Sequence, residues 1–199
     1  YGYDTATIAC MFIPNTYEFY WNTAANKIAN KLAKEYNKFW NEDRLAKAKA
    51  KNLTPIQVYT LASIVHKETA KVDERPDVAG VYLNRLTQDM PLQADPTVIY
   101  AIKLKSGDFD QEIKRVFYND LRIKSPYNTY INKGLPPGPI AMPDVSAIDA
   151  VLNATNHNYI YFCANPDKPG YHAFASNYEA HQVNAKKYAD WVSKLGINR

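Results

Sequence analysis

TPIQVYTLASIVHKET, residues 54–69, decides how the chain is read. Thr54, Pro55 and Gln57 make a helix start in which Thr caps, proline opens the first turn and Gln bonds back to the cap. From Pro55 onward each residue advances about 100° around the helix axis. Val58, Leu61, Ala62, Ile64 and Val65 then share one arc, with Lys67 on the opposite side. Glu68 falls inside the arc, between Leu61 and Ile64. A carboxyl group there is partly withdrawn from water and meets the negative end of the helix dipole, and both effects raise its pKa. That is what a general acid working near neutral pH requires. A second outcome stays open at this point, in which the helix frays and Glu68 reaches water or pairs with Arg75 or Lys71.

Outward from this helix the punctuation is dense. Upstream, the apolar run 8–13 ahead of Pro14 and Asn15 predicts a short strand ending in a turn. Asn22 or Thr23 can cap the next helix, where Ile28, Leu32, Tyr36 and Phe39 recur at helical spacing among lysines. Downstream, Pro76 opens a helix over 78–86, and Asp95 ahead of Pro96 caps another over 98–104. Residues 124–143 carry so much proline and glycine that only a rigid irregular loop fits them. A helix over 146–154, a hairpin of 159–164 with 171–175, and a closing helix over 178–195 follow. The expected class is α+β: a mainly helical core, a small hairpin and one long Pro/Gly-rich loop.

Composition excludes several classes. Hydrophobic residues make up 46% and charged residues 22%, as in ordinary globular chains. The net charge of +4 is mild and dispersed, and the basic run 44–51 alternates Lys with Ala like a solvated helix face, so nucleic acid is not an expected partner. Cys10 and Cys163 stand far apart, and no HExxH occurs; the histidines show no zinc-ligand spacing, so neither metal nor cofactor is expected. The 16 Tyr and 3 Trp supply amphipathic rings that suit either a core or sugar faces.

Several further residues have two readings each. Asp95 in LQADPTV is extended ahead of its proline and serves either as a helix cap or as part of a site wall. The amides and rings of YNTY, residues 127–130, stand on the stiff loop and suit either turn chemistry or a carbohydrate cleft. His172 and His181 are either satisfied structural histidines or donors to a ligand.

The string LASIVHKETAKVDERPDVAGVYLNRL, then PLQADPTVIYAIK, YNTYINKGLPPGPIAMP and YFCANPDKPGYHAFASNYEAH, with FIPNTYEFYW upstream, closely resembles the MltG (YceG-like) family of endolytic transglycosylases. The resemblance covers nearly the whole chain, with the blocks in the family's order. It implies an enzyme of the bacterial cell envelope, anchored in the cytoplasmic membrane by an N-terminal helix not present here, acting outside that membrane on peptidoglycan glycan strands. Cell-wall synthesis proteins are the other implied partners. Residues 1–50 would hold the end of a LysM-like region and the lead-in, and 51–199 the catalytic core. The family's catalytic glutamate maps onto Glu68. Many relatives carry a second Glu where this chain has His66, a departure that favours Glu68. Gln93, Asp95, Asn128, Tyr130 and His172 are implied as cleft residues.

The reaction implied is cleavage between N-acetylmuramic acid and N-acetylglucosamine to leave a 1,6-anhydro end. Two alternatives remain beside it: a glycan-binding scaffold without turnover, and a hydrolase using Asp95 or Asp73 as second carboxylate.

Overall fold

In the computed structural model, which describes residues 2–194, every residue of helix α3 (Pro55–Glu68) from Val58 to Val65 is buried. The predicted arc therefore became a whole circumference, because the helix is covered on all sides. Helix α6 (Val145–Leu152) packs on it, as do α4 (Arg75–Thr87), α5 (Asp95–Ser106) and α2 (Glu42–Ala50). The capping box forms as read: Thr54 accepts from the Gln57 N–H at 3.3 Å and Gln57 from the Thr54 N–H at 2.9 Å.

Among the described residues the remaining elements are helices α1 (Ala25–Phe39) and α7 (Tyr178–Lys194) and one antiparallel hairpin, β1 (Tyr161–Ala164) with β2 (His172–Ala175), paired Tyr161 to Ala175. This is the expected α+β class. The expected end of the last helix, at 195, lies outside the described residues. No described helix is long and apolar enough to cross a membrane.

Three local expectations are corrected. Residues 8–13 do not form a strand; Ile8–Met11 is a 3-10 turn. The Asp4 carboxylate collects the N–H groups of Ala6 and Thr7 and the Thr7 hydroxyl, so a local turn outcompetes an extended run. Cys10 and Ile13 still enter the common core, and the Tyr59 hydroxyl on α3 donates to the Phe12 carbonyl at 2.8 Å. Neither Asn22 nor Thr23 caps α1, whose preceding residue is Ala24 with no side-chain bond. Nor does Asp95 cap α5: Ala94 is the extended boundary residue and Asp95 the first helical one. Its carboxylate still benefits from the positive helix end.

The loop 124–143 is irregular as expected, and is held by buried polar contacts rather than by a ladder. Ser63 of α3 accepts the Ile140 N–H at 3.0 Å. Gly138 is required because a β-carbon there would sit 2.1 Å from the Ala6 carbonyl oxygen. Thr129 accepts from the Ala94 N–H at 3.1 Å and lies 2.8 Å from the Thr97 hydroxyl, which locks the loop to the start of α5. Asn128 is fully buried; its side-chain N–H groups donate to the carbonyls of Leu121 and Ile123, at 3.0 and 2.9 Å, and its oxygen accepts the Tyr130 N–H.

Replacing Asn128 by Ala leaves two carbonyls and one N–H without these partners, so Asn128→Ala should lower unfolding free energy by about 2–3 kcal/mol in urea denaturation. A loss below ~0.5 kcal/mol would show that the amide does not hold the loop.

Candidate active site

Helix α3 ends at Glu68, and Thr69 turns extended behind it. The end of a buried helix is thereby brought to the floor of a cleft. Neither Lys71 nor Arg75 reaches Glu68: Arg75 is buried and donates to Ser146 at 2.7 Å and Asp144 at 3.3 Å, and Lys71 lies over the Tyr171 ring. The partner Glu68 does have is Tyr82 of α4, whose hydroxyl donates to its carboxylate at 2.9 Å. Burial pushes the Glu68 carboxyl up from 4.5 to about 7, while the Tyr82 hydrogen bond, His172 and Arg85 pull the other way and Asp95 adds to the rise. The Tyr82 hydroxyl is itself driven well above its ordinary range by burial and by Glu68, so it remains a donor.

Two cavities meet at this carboxyl. The first, about 370 Å³, has Glu68, Gln93, Asp95, Tyr130 and His172 in its wall. The hairpin closes its far side with Tyr161, Phe162 and Cys163. The second, about 670 Å³, shares Glu68 and Asp95 and runs between the start of α5 and the end of α7. Glu68 and Asp95 thus stand in the wall common to both cavities.

The Gln93 backbone is left-handed, with φ of 54°, an uncommon conformation for a residue with a side chain. Its N–H donates to the Thr129 carbonyl at 3.0 Å and its side-chain oxygen accepts from Arg85 at 3.1 Å, so the strain is held from both ends. Asp95, relieved of capping, accepts the Tyr130 hydroxyl at 2.5 Å. Burial and Asp95 both raise the Tyr130 pKa. Asn128 is not in either cavity: its hydrogen-bonding capacity is spent inside the loop, so its part is to fix the backbone that carries Tyr130. Asp73 is also outside both, accepting the Tyr171 hydroxyl at 2.9 Å. His66 faces away, 3.3 Å from Asp144.

The sequence matches the model of the YceG-like family over residues 3–187. This chain belongs to the YceG-like family. It is 40% identical over 149 residues to an endolytic murein transglycosylase of Streptococcus pneumoniae, an alignment covering 74% of this chain and 26% of that protein. It is 36% identical over 176 residues to an endolytic murein transglycosylase of Bacillus subtilis, covering 88% of this chain and 46% of that one. The crystal structure of a YceG-like protein from Listeria monocytogenes superposes with a TM-score of 0.71 at 34% identity, over 87% of this chain and 54% of that one. The chain therefore spans about a quarter to a half of the length of these curated relatives.

Sequence reasoning missed three residues of this YceG-like site: Tyr82, Arg85 and Glu74. Arg85 is buried and donates to the carbonyls of Ile160, Pro91 and Leu92 and to Gln93, tying hairpin, α4 and the strained turn together. Its position on the inner arc of α4, seven residues from Val78, was the available signal. Glu74, at 4% exposure, accepts the His172 N–H on Oε1 at 2.6 Å and the Thr69 hydroxyl on Oε2 at 3.0 Å, and Oε2 also lies 2.8 Å from His172 Nδ1. A carboxylate only accepts, so Nδ1 carries the proton and Nε2 is the ring nitrogen left to the cavity. Glu74 is thus a positioning residue acting through His172. Nothing in its sequence neighbourhood marks it, since the hairpin that brings His172 is far along the chain.

Nitrogen-15 NMR of the imidazole should report His172 protonated at Nδ1. In Glu74→Gln one amide N–H must face a donor, so the tautomer should shift or Tm should fall. A neutral His172 carrying its proton on Nε2 in the unaltered chain would contradict this arrangement.

Proposed function

We propose that this chain is the catalytic part of a peptidoglycan lytic transglycosylase that cleaves between N-acetylmuramic acid and N-acetylglucosamine within glycan strands. The observation that carries the reading is a carboxyl group at the end of a buried helix, bonded by a tyrosine hydroxyl, without an ion-pairing cation among the described residues, and raised to about 7. Such a group is part protonated and part ionised near neutrality, which suits one residue giving a proton and then taking one.

In the first step, protonated Glu68 donates to the glycosidic oxygen as its bond to the muramoyl anomeric carbon breaks. The Tyr82 hydroxyl stabilises the carboxylate left behind. In the second, ionised Glu68 removes the proton from the muramoyl 6-hydroxyl while that oxygen closes on the anomeric carbon. The 1,6-anhydro ring forms, Glu68 regains its proton, and no water is consumed. The endolytic names of the relatives support a groove open at both ends, as the two cavities meeting at Glu68 would provide. Within this reading residues 51–199 hold every wall residue and 1–50 form the lead-in. The parent protein is proposed to be anchored in the cytoplasmic membrane, with this part facing the cell wall and the wall-synthesis proteins.

Asp95 gives a water-using mechanism one observation in its favour, because it shares the cavity wall with Glu68 and is not a helix cap. Products separate the two. Digested sacculi should yield anhydro-muramic ends without the mass of added water; mainly hydrated, borohydride-reducible ends would replace this proposal by a hydrolase. Glu68→Gln should lower turnover by at least ~10²–10⁴. The sign for stability follows from the raised pKa: wild type loses stability as pH rises from 4.5 to about 7, where the unfolded chain ionises more readily than the folded one. Glu68→Gln should therefore match wild type in Tm near pH 4.5 and equal or exceed it at pH 8. Wild-type turnover in the variant would remove Glu68 from the mechanism.

A further inference from the structure

We infer that the second cavity is a subsite for the carboxylates of the short peptide carried by the muramoyl sugar at the scissile bond, an inference that rests on the transglycosylase reading above. The two cavities share Glu68 and Asp95, so a muramoyl sugar seated at Glu68 borders both. They differ in charge and in what their cations are doing. In the first, the Arg85 guanidinium is buried and already donates to three backbone carbonyls and Gln93. In the second, Lys67 reaches the wall from the end of α3, and Lys114 and Arg115 from the loop after α5. All three are exposed.

The existing contacts of the loop cations are easily exchanged. Lys114 lies 3.6 Å from Glu112 with both side chains mostly in water, a pairing of little net value. Arg115 rests over the Phe117 ring at 5.5 Å. Opposite them on α7, Tyr188 and Trp191 stand 5.9 Å apart at 30° between planes, an apolar wall for methyl and methylene groups. Lys67 at a helix end and two loop cations have a plain reading as solvated charges. Their convergence from two elements on the wall that Glu68 itself occupies favours a ligand.

The chemistry of the substrate fits that convergence. In a peptidoglycan strand every second sugar bears, through a lactyl ether, a short peptide rich in alanine and in free carboxylates. A muramoyl residue held with its anomeric carbon at Glu68 has its peptide beside the cavities that meet there. The larger, cationic, ring-walled cavity accepts it: carboxylates to Lys and Arg, alanine methyls to Tyr188 and Trp191. Arg115 can engage a carboxylate through two parallel N–H groups.

The test compares glycan strands carrying stem peptides with the same strands stripped by an amidase, using the full chain and Lys114→Gln/Arg115→Gln. The altered side chains are exposed, and unchanged circular dichroism and Tm confirm folding. Wild type should show kcat/KM on peptide-bearing strands roughly tenfold above that on stripped strands, the worth of one good charge-assisted contact. In the double variant the ratio should fall toward one, chiefly through KM. A ratio identical in wild type and variant overturns the subsite. In parallel, calorimetry with the free stem peptide should show binding that the double variant weakens several-fold and that 0.5 M salt suppresses (about one Debye length of a few ångström). No peptide binding, or equal competition by inorganic phosphate at matched ionic strength, also overturns it. If wild type cleaves neither strand, the transglycosylase reading fails, and the peptide titration alone decides the subsite.

Discussion

Helix α3 takes the Glu68 carboxyl out of water and delivers it, with no ion-pairing cation among the described residues, to the wall shared by two cavities. Burial is the main effect disfavouring the charge, and the Tyr82 hydroxyl leads the groups, with His172 and Arg85, that keep ionisation within reach of neutral pH. A lysine or arginine partner would hold the carboxylate ionised and useless as an acid; no partner at all would leave it a permanent acid and a poor base. Much of the surrounding polar framework serves this balance. Arg75 is drawn off to Asp144 and Ser146, and Arg85 is occupied by backbone carbonyls.

Around that point each element has one positioning task. The loop 124–143 is riveted to α5 through Thr129 and to itself through Asn128, so that Tyr130 meets Asp95. The hairpin is too small to be a core and acts as a wall, its β2 strand presenting His172 against Glu74. Gly80 on α4 permits the approach of 155–157 to the helix, where a β-carbon would meet the Thr155 carbonyl at 2.7 Å. The strained Gln93 turn is stabilised by the same arginine that braces the hairpin.

What could be read from the sequence follows the range of the forces involved. The capping box at Thr54 and the burial of Val58, Leu61, Ala62, Ile64 and Val65 depend on neighbours three or four residues away and match the structure, whereas the covering of the remaining faces of α3 comes from distant helices. The α+β class and the irregular loop followed from proline and glycine density. For Asp95 the sequence leaves cap and site wall open, since its side chain type and following proline suit a cap while the partner that claims it, Tyr130, lies thirty-five residues on. Asn128 was placed in the cleft by resemblance, whereas burial directs its amide to Leu121 and Ile123. The expected strand at 8–13 lacked any partner strand, and Asp4 captured it into a turn. Glu74 and Tyr82 gain their roles from tertiary contact, which neither periodicity nor spacing encodes.

The two proton transfers proposed for Glu68 require it to titrate near neutrality, and carbon-13 NMR of labelled glutamate carboxyl groups measures that directly, with Glu68→Gln assigning the resonance. The titration should show a midpoint of about 7 for Glu68, and removal of the donated hydrogen bond in Tyr82→Phe should move it upward. A midpoint at the ordinary 4.5, unaffected by Tyr82→Phe, would mean that the carboxyl is solvated and paired with nothing, and the balance described for it does not exist.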